Sequence, residues 1–339
     1  YVINITLFKP YHESQTLIIP VTITEVSTVA YVQPANVTVI WGKTQTFVIY
    51  YNKSINGAFI LNASISYNIT PKAPAEAISI SLGEPYIVTI NTTKLGIGTY
   101  LVSIGISKLF FAEKQLLIRI DVEPIPTYLI YSFTSATIEY GESIVLRIWY
   151  IASAEGEEYF IDYANVTYII AIGNNIIIAG EMIYNSSDNS YMLVFNSTEI
   201  VGNTGISELP VVFSVYINAT KTVYAPQTDK VVTIEVDPVA TTVFVSDRDI
   251  VAEWGRDVYI DIVIRRNKTF EPIKDVEITI SGLPNGSWNL ISTDDGFRLY
   301  INTTKLEYMN KSYVITIEFY KPYYTIDSVT IDLTVTKVK

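Results

Sequence analysis

Fourteen of the twenty asparagines open an Asn-x-Ser/Thr triplet with no proline in the middle: Asn4, Asn36, Asn52, Asn62, Asn68, Asn91, Asn165, Asn185, Asn196, Asn218, Asn267, Asn285, Asn302 and Asn310. Such a triplet is the acceptor for N-linked sugar, the bond forming at the asparagine side-chain nitrogen. Ser and Thr fill 60 of 339 positions, so random placement would put only about three or four of the twenty asparagines in triplets. A polar Asn beside a strand-favouring Thr accounts for several of them. It does not account for the excess. The expectation is a chain carrying N-linked glycans, hence exported and extracellular, with sugar covering apolar patches and strand edges.

The carboxylates offer one other chemistry. Hard oxygen ligands gathered where two domains meet could hold calcium, and the candidates are Asp121 with Glu123, then Glu235, Asp237, Asp247, Asp249 and Glu253. No EF-hand loop is present, and alternating acids on a final strand also describe its solvated face. The only histidine is His12, just after Pro10 and Tyr11, and there is no cysteine. Histidine-based triads, thiolate nucleophiles, His/Cys zinc sites and disulfides therefore cannot be assembled from these residues. Nothing marks a convergent carboxylate pair, a phosphate-binding loop or a dinucleotide fingerprint. The expected catalytic set is empty. A net charge of -11 and a pI near 4.7 exclude the basic surface that nucleic acid requires.

The elements that must carry these residues repeat. An aromatic residue, Gly and a charged residue recur as Trp41, Gly42, Lys43, as Tyr140, Gly141, Glu142 and as Trp254, Gly255, Arg256. The glycines would supply a positive φ between two strands. A second landmark recurs as Asn91, Thr92, Thr93, as Asn196, Ser197, Thr198 and as Asn302, Thr303, Thr304. Each is followed by two extended runs that close a repeat. Residues 1–25 match only that closing pair, and their turn Phe8, Lys9, Pro10, Tyr11 matches Tyr320, Lys321, Pro322, Tyr323.

The expected organisation is the last two strands of one repeat over 1–25, then whole repeats over 26–123, 124–237 and 238–339, an excerpt of a longer array. Abundant Ile, Val, Thr and 26 Tyr, with turn signals about every ten to twelve residues, predict seven or eight short strands per repeat. The fold class is all-β: tandem immunoglobulin-like or fibronectin III-like sandwiches in an elongated array, with almost no helix. No stretch of eighteen apolar residues predicts a transmembrane helix. A signal peptide, if any, and a membrane anchor are expected outside this segment. Tyr50 with Tyr51, and Tyr323 with Tyr324, are candidates for an aromatic contact surface.

The Asn-Thr-Thr-Lys-Leu turn, the Gly98, Thr99, Tyr100 entry into a strand and the recurring aromatic-Gly motif resemble the Ig-like repeats of archaeal S-layer and other large archaeal cell-surface proteins. The resemblance implies a glycosylated structural tract of a surface lattice, stalk or filament, with self-association or neighbouring surface subunits as partners. The alternative is an adhesin, or accessory binding modules of an exported enzyme whose catalytic part lies elsewhere.

Overall fold

The computed structural model describes residues 1–307 and 311–338. Its regular structure is nearly all strand, as the composition demands; the helical exceptions among the described residues are one short α-helix, Ser197–Gly202, and three single 3-10 turns. The chain forms two compact units. One holds Tyr1–Thr127, Ala152–Glu158 and Lys221–Ala225; the other holds Tyr128–Ile151, Tyr159–Thr220 and the residues from Pro226 onward.

The first complete sandwich sets one four-stranded sheet, Thr28–Gln33, Thr44–Lys53, Tyr86–Asn91 and Ile78–Ser81 in spatial order, against another, Asn36–Ile40, Phe111–Glu123, Gly98–Lys108 and Ser64–Thr70. Its opening segment is shared between the sheets. Thr28–Gln33 runs antiparallel to Thr44–Lys53, whereas Asn36–Ile40 runs parallel to Phe111–Glu123. The same division recurs with Ser135–Glu139 parallel to Gln227–Asp237, and with Asp249–Glu253 parallel to Val329–Thr336. Strand alternation fills each core. Phe47, Ile49 and Tyr51 meet Val102, Ile104, Ile106, Ile118 and Ile120 in one cluster, and Ile260, Ile262, Leu299 and Ile301 meet Ile315, Ile331 and Leu333 in another. The later two sandwiches carry more than the eight strands expected, because short added segments such as Glu157–Phe160, Ile183–Asn185 and Tyr324–Thr325 pair at sheet edges.

The two sequence landmarks of each repeat come together. The glycines Gly42, Gly141 and Gly255 sit at φ of 95°, 93° and 91°, a conformation that favours residues without a Cβ. Across the sandwich end, a fully buried hydroxyl bonds that turn twice. Thr92 Oγ1 donates to Lys43 O at 2.7 Å and accepts from Lys43 N at 2.9 Å. Ser197 Oγ donates to Glu142 O at 2.7 Å and accepts from Gly141 N at 2.9 Å. Thr303 Oγ1 donates to Arg256 O at 2.7 Å and accepts from Gly255 N at 2.9 Å. The aromatic residue closes the other side through its backbone: Trp41 N donates to Glu123 O, Tyr140 N to Asp237 O and Trp254 N to Thr336 O, at 2.8, 2.9 and 2.9 Å. Trp41 and Trp254 add indole bonds to Leu95 O and Leu306 O.

A further recurrence lies in the turn between the two closing strands. Phe110, Val223 and Tyr323 all take φ between 67° and 72°, and each follows a lysine by two residues. The next residue pairs in parallel with the start of its own sandwich: Val26 with Phe111, Ile125 with Tyr224, Val239 with Tyr324. A threonine hydroxyl fixes each pairing, Thr28 to Ala112 O, Thr127 to Ala225 O and Thr241 to Thr325 O, at 2.6–2.7 Å. Tyr11 adopts the same turn at φ 68° between Val2–Leu7 and Gln15–Pro20. In that hairpin Ile3, Ile5, Leu7 and Leu17, which share one face by register, are all exposed.

Replacing the buried hydroxyl by a methyl leaves a backbone N–H and C=O unpaired in the interior. Thr92→Val or Thr303→Val is expected to cost about 1–3 kcal/mol in urea unfolding, whereas Thr46→Val, at an exposed strand position, should stay within about 0.5 kcal/mol. Equal effects of the two substitutions would refute the assignment. Tyr191 gives a second test. Its buried hydroxyl donates to Ile161 O and accepts from Ala164 N, as Tyr86 does with Ile60 O and Ala63 N. Burial pushes the Tyr191 phenol up to about 12 from 10.0. A raised folded value means this contribution is complete below pH 10 and is lost as pH rises toward 12. Tyr191→Phe should remove that alkaline slope and cost about 1–3 kcal/mol at neutral pH.

Candidate functional site

Thirteen of the fourteen sequon asparagines lie among the described residues, and none is buried. Asn4, Asn36, Asn62, Asn68, Asn165, Asn267 and Asn285 are exposed; Asn52, Asn91, Asn185, Asn196, Asn218 and Asn302 are half-buried. Asn310 lies outside the described residues.

The half-buried group has a second occupation that spacing alone did not reveal. Asn91, Asn196 and Asn302 cap the short helical turns that follow them, each accepting through Oδ1 from the backbone N–H two residues on. At Asn91 and Asn302 the sequon threonine also donates its hydroxyl to the same oxygen, at 2.7 and 2.6 Å. Asn185 makes the same loop with Ser187. This is an Asx turn. It uses the carbonyl oxygen, while the nitrogen that would take sugar is outside these bonds. The middle residue is then free to turn inward as the buried hydroxyl. These triplets therefore have a folding reason to exist whether or not they carry sugar. Asn218 Oδ1 accepts from Asp229 N, and Asn267 Oδ1 from Thr242 Oγ1.

The carboxylates do not converge. Among the described residues no group of three or more His, Asp or Glu is placed to hold a metal ion. Asp121 is occupied by Thr99 Oγ1 at 2.5 Å and by Arg119 on its own strand, and these hold its carboxyl below the usual range. Glu123 and Asp237 end their strands, and each engages the aromatic-Gly turn through its backbone carbonyl. A threonine, Thr336, fills that role in the last sandwich, so the position does not require an acid. Asp247 and Asp249 are exposed near the crossing between sheets, as is Glu253 at the end of Asp249–Glu253, and Glu235 is half-buried on Gln227–Asp237. His12 is exposed in its turn.

Within the second compact unit, the aromatic-Gly turn of one sandwich meets two loops of the next. The rings of Tyr140 and Tyr323 lie 4.4 Å apart, and Tyr323 OH donates to Ile206 O at 2.8 Å. Lys268 Nζ reaches both Glu142 oxygens at 3.0 and 3.1 Å and lies 3.6 Å from Glu139. The Glu139 N–H and the Lys268 ammonium hold the Glu142 carboxyl below its ordinary 4.5, and Glu142, with Glu139, raises Lys268 above 10.5. Arg266 stands over the Tyr324 ring at 5.8 Å. Of the two expected tyrosine pairs, Tyr323 thus makes an aromatic contact between sandwiches. Tyr50 and Tyr51 part company: Tyr50 stacks on Tyr31 outside, while Tyr51 is buried. In the first unit Lys43, the counterpart of Glu142, pairs with Glu155.

No family model matches the sequence, and no curated protein matches it. Solved structures do. The chain is similar to the I9–I11 tandem of titin at 10% identity, over 91% of this chain and 100% of that one, with a TM-score of 0.26. It is similar to the titin domains Z1Z2 in complex with telethonin at 17% identity, over 63% and 97%, TM-score 0.36. It is also similar to the Escherichia coli adhesin FdeC at 9% identity, over 93% and 98%, TM-score 0.31. Identities this low and superpositions this partial assign no activity or partner.

Exposed ion pairs contribute little, so Lys268→Ala is expected to lower stability by only about 0.2–1 kcal/mol near neutral pH. The sign with pH is fixed. A depressed Glu142 contributes fully above pH 4.5 and loses that contribution as pH falls through its folded value; a raised Lys268 contributes fully below pH 10.5 and loses it above. Melting curves of wild type and Lys268→Ala should therefore run apart between pH 5 and 10 and converge in acid. A constant gap down to pH 2 would count against the pairing.

Proposed function

We propose that this chain is a non-catalytic tract of an extracellular glycoprotein, in which serial Ig-like sandwiches form part of a surface lattice, stalk or filament. The observation that carries this reading is the tyrosine and lysine junction inside the second unit. A ring contact, a side-chain hydrogen bond and a charge cluster join two sandwiches across short connections, which supports a structural tract of serial sandwiches over separate binding modules. The repeat boundaries at 26–123, 124–237 and 238–339 belong to this reading. So does the assignment of 1–25 as the closing hairpin of another sandwich, supported by its shared turn at Tyr11 and its bare apolar face.

The surface location rests on the sequons. All thirteen described ones are accessible, including those whose oxygen caps a turn, and a buried set would have spoken against export. No helix among the described residues is long and apolar enough to cross a membrane. Neighbouring surface subunits or further copies are the proposed partners; an adhesin is the second reading, drawn from the same sandwich architecture. Calcium at the acids near the repeat junctions, Asp121 with Glu123 and then Glu235, Asp237, Asp247, Asp249 and Glu253, stays a separate proposal.

Glycopeptide and intact-mass spectrometry of the native protein tests the proposal directly. Sugar is expected at a majority of the fourteen asparagines, with the exposed ones most fully occupied. Bare asparagines throughout would remove the glycoprotein reading and leave a repeat protein held by its turns.

A further inference from the structure

Five of the fourteen sequon asparagines have a tyrosine two residues earlier: Tyr50 before Asn52, Tyr163 before Asn165, Tyr216 before Asn218, Tyr300 before Asn302 and Tyr308 before Asn310. None of the six asparagines outside sequons does. With 26 tyrosines in 339 residues, random placement gives about one such pair among fourteen sequons.

Three of the pairs sit within single strands, Thr44–Lys53, Val211–Thr220 and Phe297–Asn302. Side chains two apart on a strand leave the same face, about 6.5 Å from each other. In each case that is the outer face: Tyr51, Ile217 and Ile301 turn into the core, while Tyr50 and Asn52, Tyr216 and Asn218, Tyr300 and Asn302 are half-buried on the other side. Two of the rings have an aromatic partner in cross-strand register. Tyr31 lies opposite Tyr50 with centroids 4.8 Å apart, and Tyr259 lies opposite Tyr300 at 5.4 Å. Tyr31 and Tyr259 are themselves exposed.

The amides are arranged to match. Asn302 Oδ1 is held by Thr304, and Asn218 Oδ1 by Asp229 N. Asn52 has its Oδ1 buried and without a hydrogen-bond partner. At Asn218 and Asn302 the oxygen is held by the protein, which leaves the nitrogen as the attachment point on the same face as the ring.

We propose that these tyrosines are seats for the first pyranose of the glycans on Asn52, Asn218 and Asn302. The apolar C–H face of a sugar carries slight positive charge and suits the electron-rich face of an aromatic ring, and strand geometry brings the two within one residue pair's reach. Cross-strand tyrosine pairing by itself is ordinary sheet packing and gives no reason for an Asn-x-Ser/Thr triplet to begin two residues on. This inference rests on the glycoprotein reading above.

The test uses the full chain, expressed in a host that attaches N-glycans, with occupancy measured by glycopeptide mass spectrometry. The Tm increment due to sugar is the effect of Asn302→Gln in that host less its effect in a host that attaches no glycan, which subtracts the lost turn cap, measured in wild type, Tyr300→Phe and Tyr300→Thr backgrounds, and in the parallel set at Asn52 and Tyr50. Phenylalanine keeps the ring and loses the hydroxyl bond to Asp257. The sugar is expected to raise Tm by about 2 °C with Tyr or Phe and by less than half of that with Thr. Sugar protons should show upfield ring-current shifts only where a ring is present. Equal increments in all three backgrounds, with the asparagines occupied, would overturn the seat and leave the glycoprotein reading intact. Bare Asn52 and Asn302 in both the host and the native protein would overturn the seat and weaken that reading with it.

Discussion

A buried hydroxyl, shared between the N–H and the C=O of a facing turn, is the interaction on which each sandwich depends. It satisfies polar backbone that the sheet ladders cannot reach, because the aromatic-Gly turn reverses direction at the point where one sheet hands the chain to the other. Leaving such groups dry and unpaired is among the more expensive faults a core can contain. The preceding asparagine serves the same end from outside. By capping its own turn it orients the next residue inward, so the Asn-Thr-Thr and Asn-Ser-Thr triplets work as one hydrogen-bonding device with an outer and an inner half.

That device explains how a chain without cysteine holds sandwiches of about a hundred residues together. The hydrophobic clusters supply the bulk of the stabilisation, and the hydroxyl with the strand-end carbonyl at Glu123, Asp237 or Thr336 fixes one end of each sandwich. The turn it secures also faces outward. Glu142 accepts the Ser197 hydroxyl through its backbone, while its side chain meets Lys268 in the next sandwich. A turn held rigidly from within is a firm platform for the contact made from without, so folding and sandwich coupling share one structural element.

The functional reading follows from where the polar side chains of the described residues lie. The acids that could have gathered around calcium are spread over strand ends, paired with arginine, or engaged through their backbones. The outer faces of the strands, by contrast, carry a regular vocabulary of Asn, Thr and Tyr. On such faces a side chain is free of packing demands, and its type reflects solvent, sugar or a neighbouring surface.

Several features were legible in the residues alone. Alternation in Tyr313–Phe319 and its relatives determined the strands, since period two admits no other buried face, and the recurrence of Gly42, Gly141 and Gly255 determined where the chain must turn with positive φ. The match of residues 1–25 to a closing hairpin was visible for the same reason. Other features needed three dimensions. That Thr92 reaches Lys43 across 49 residues, and Ser197 reaches Glu142 across 55, is not written in any local pattern, because a hydroxyl beside an asparagine looks the same whether it faces water or the core. The left-handed turns at Phe110, Val223 and Tyr323 were hidden because bulky residues disfavour that conformation, and the parallel pairing that follows each of them joins segments far apart in sequence. The sequence determined the elements and their order through periodicities that act within a strand. Which polar atoms meet was decided by the tertiary structure, since hydrogen bonds between distant turns depend on how the sheets close over one another.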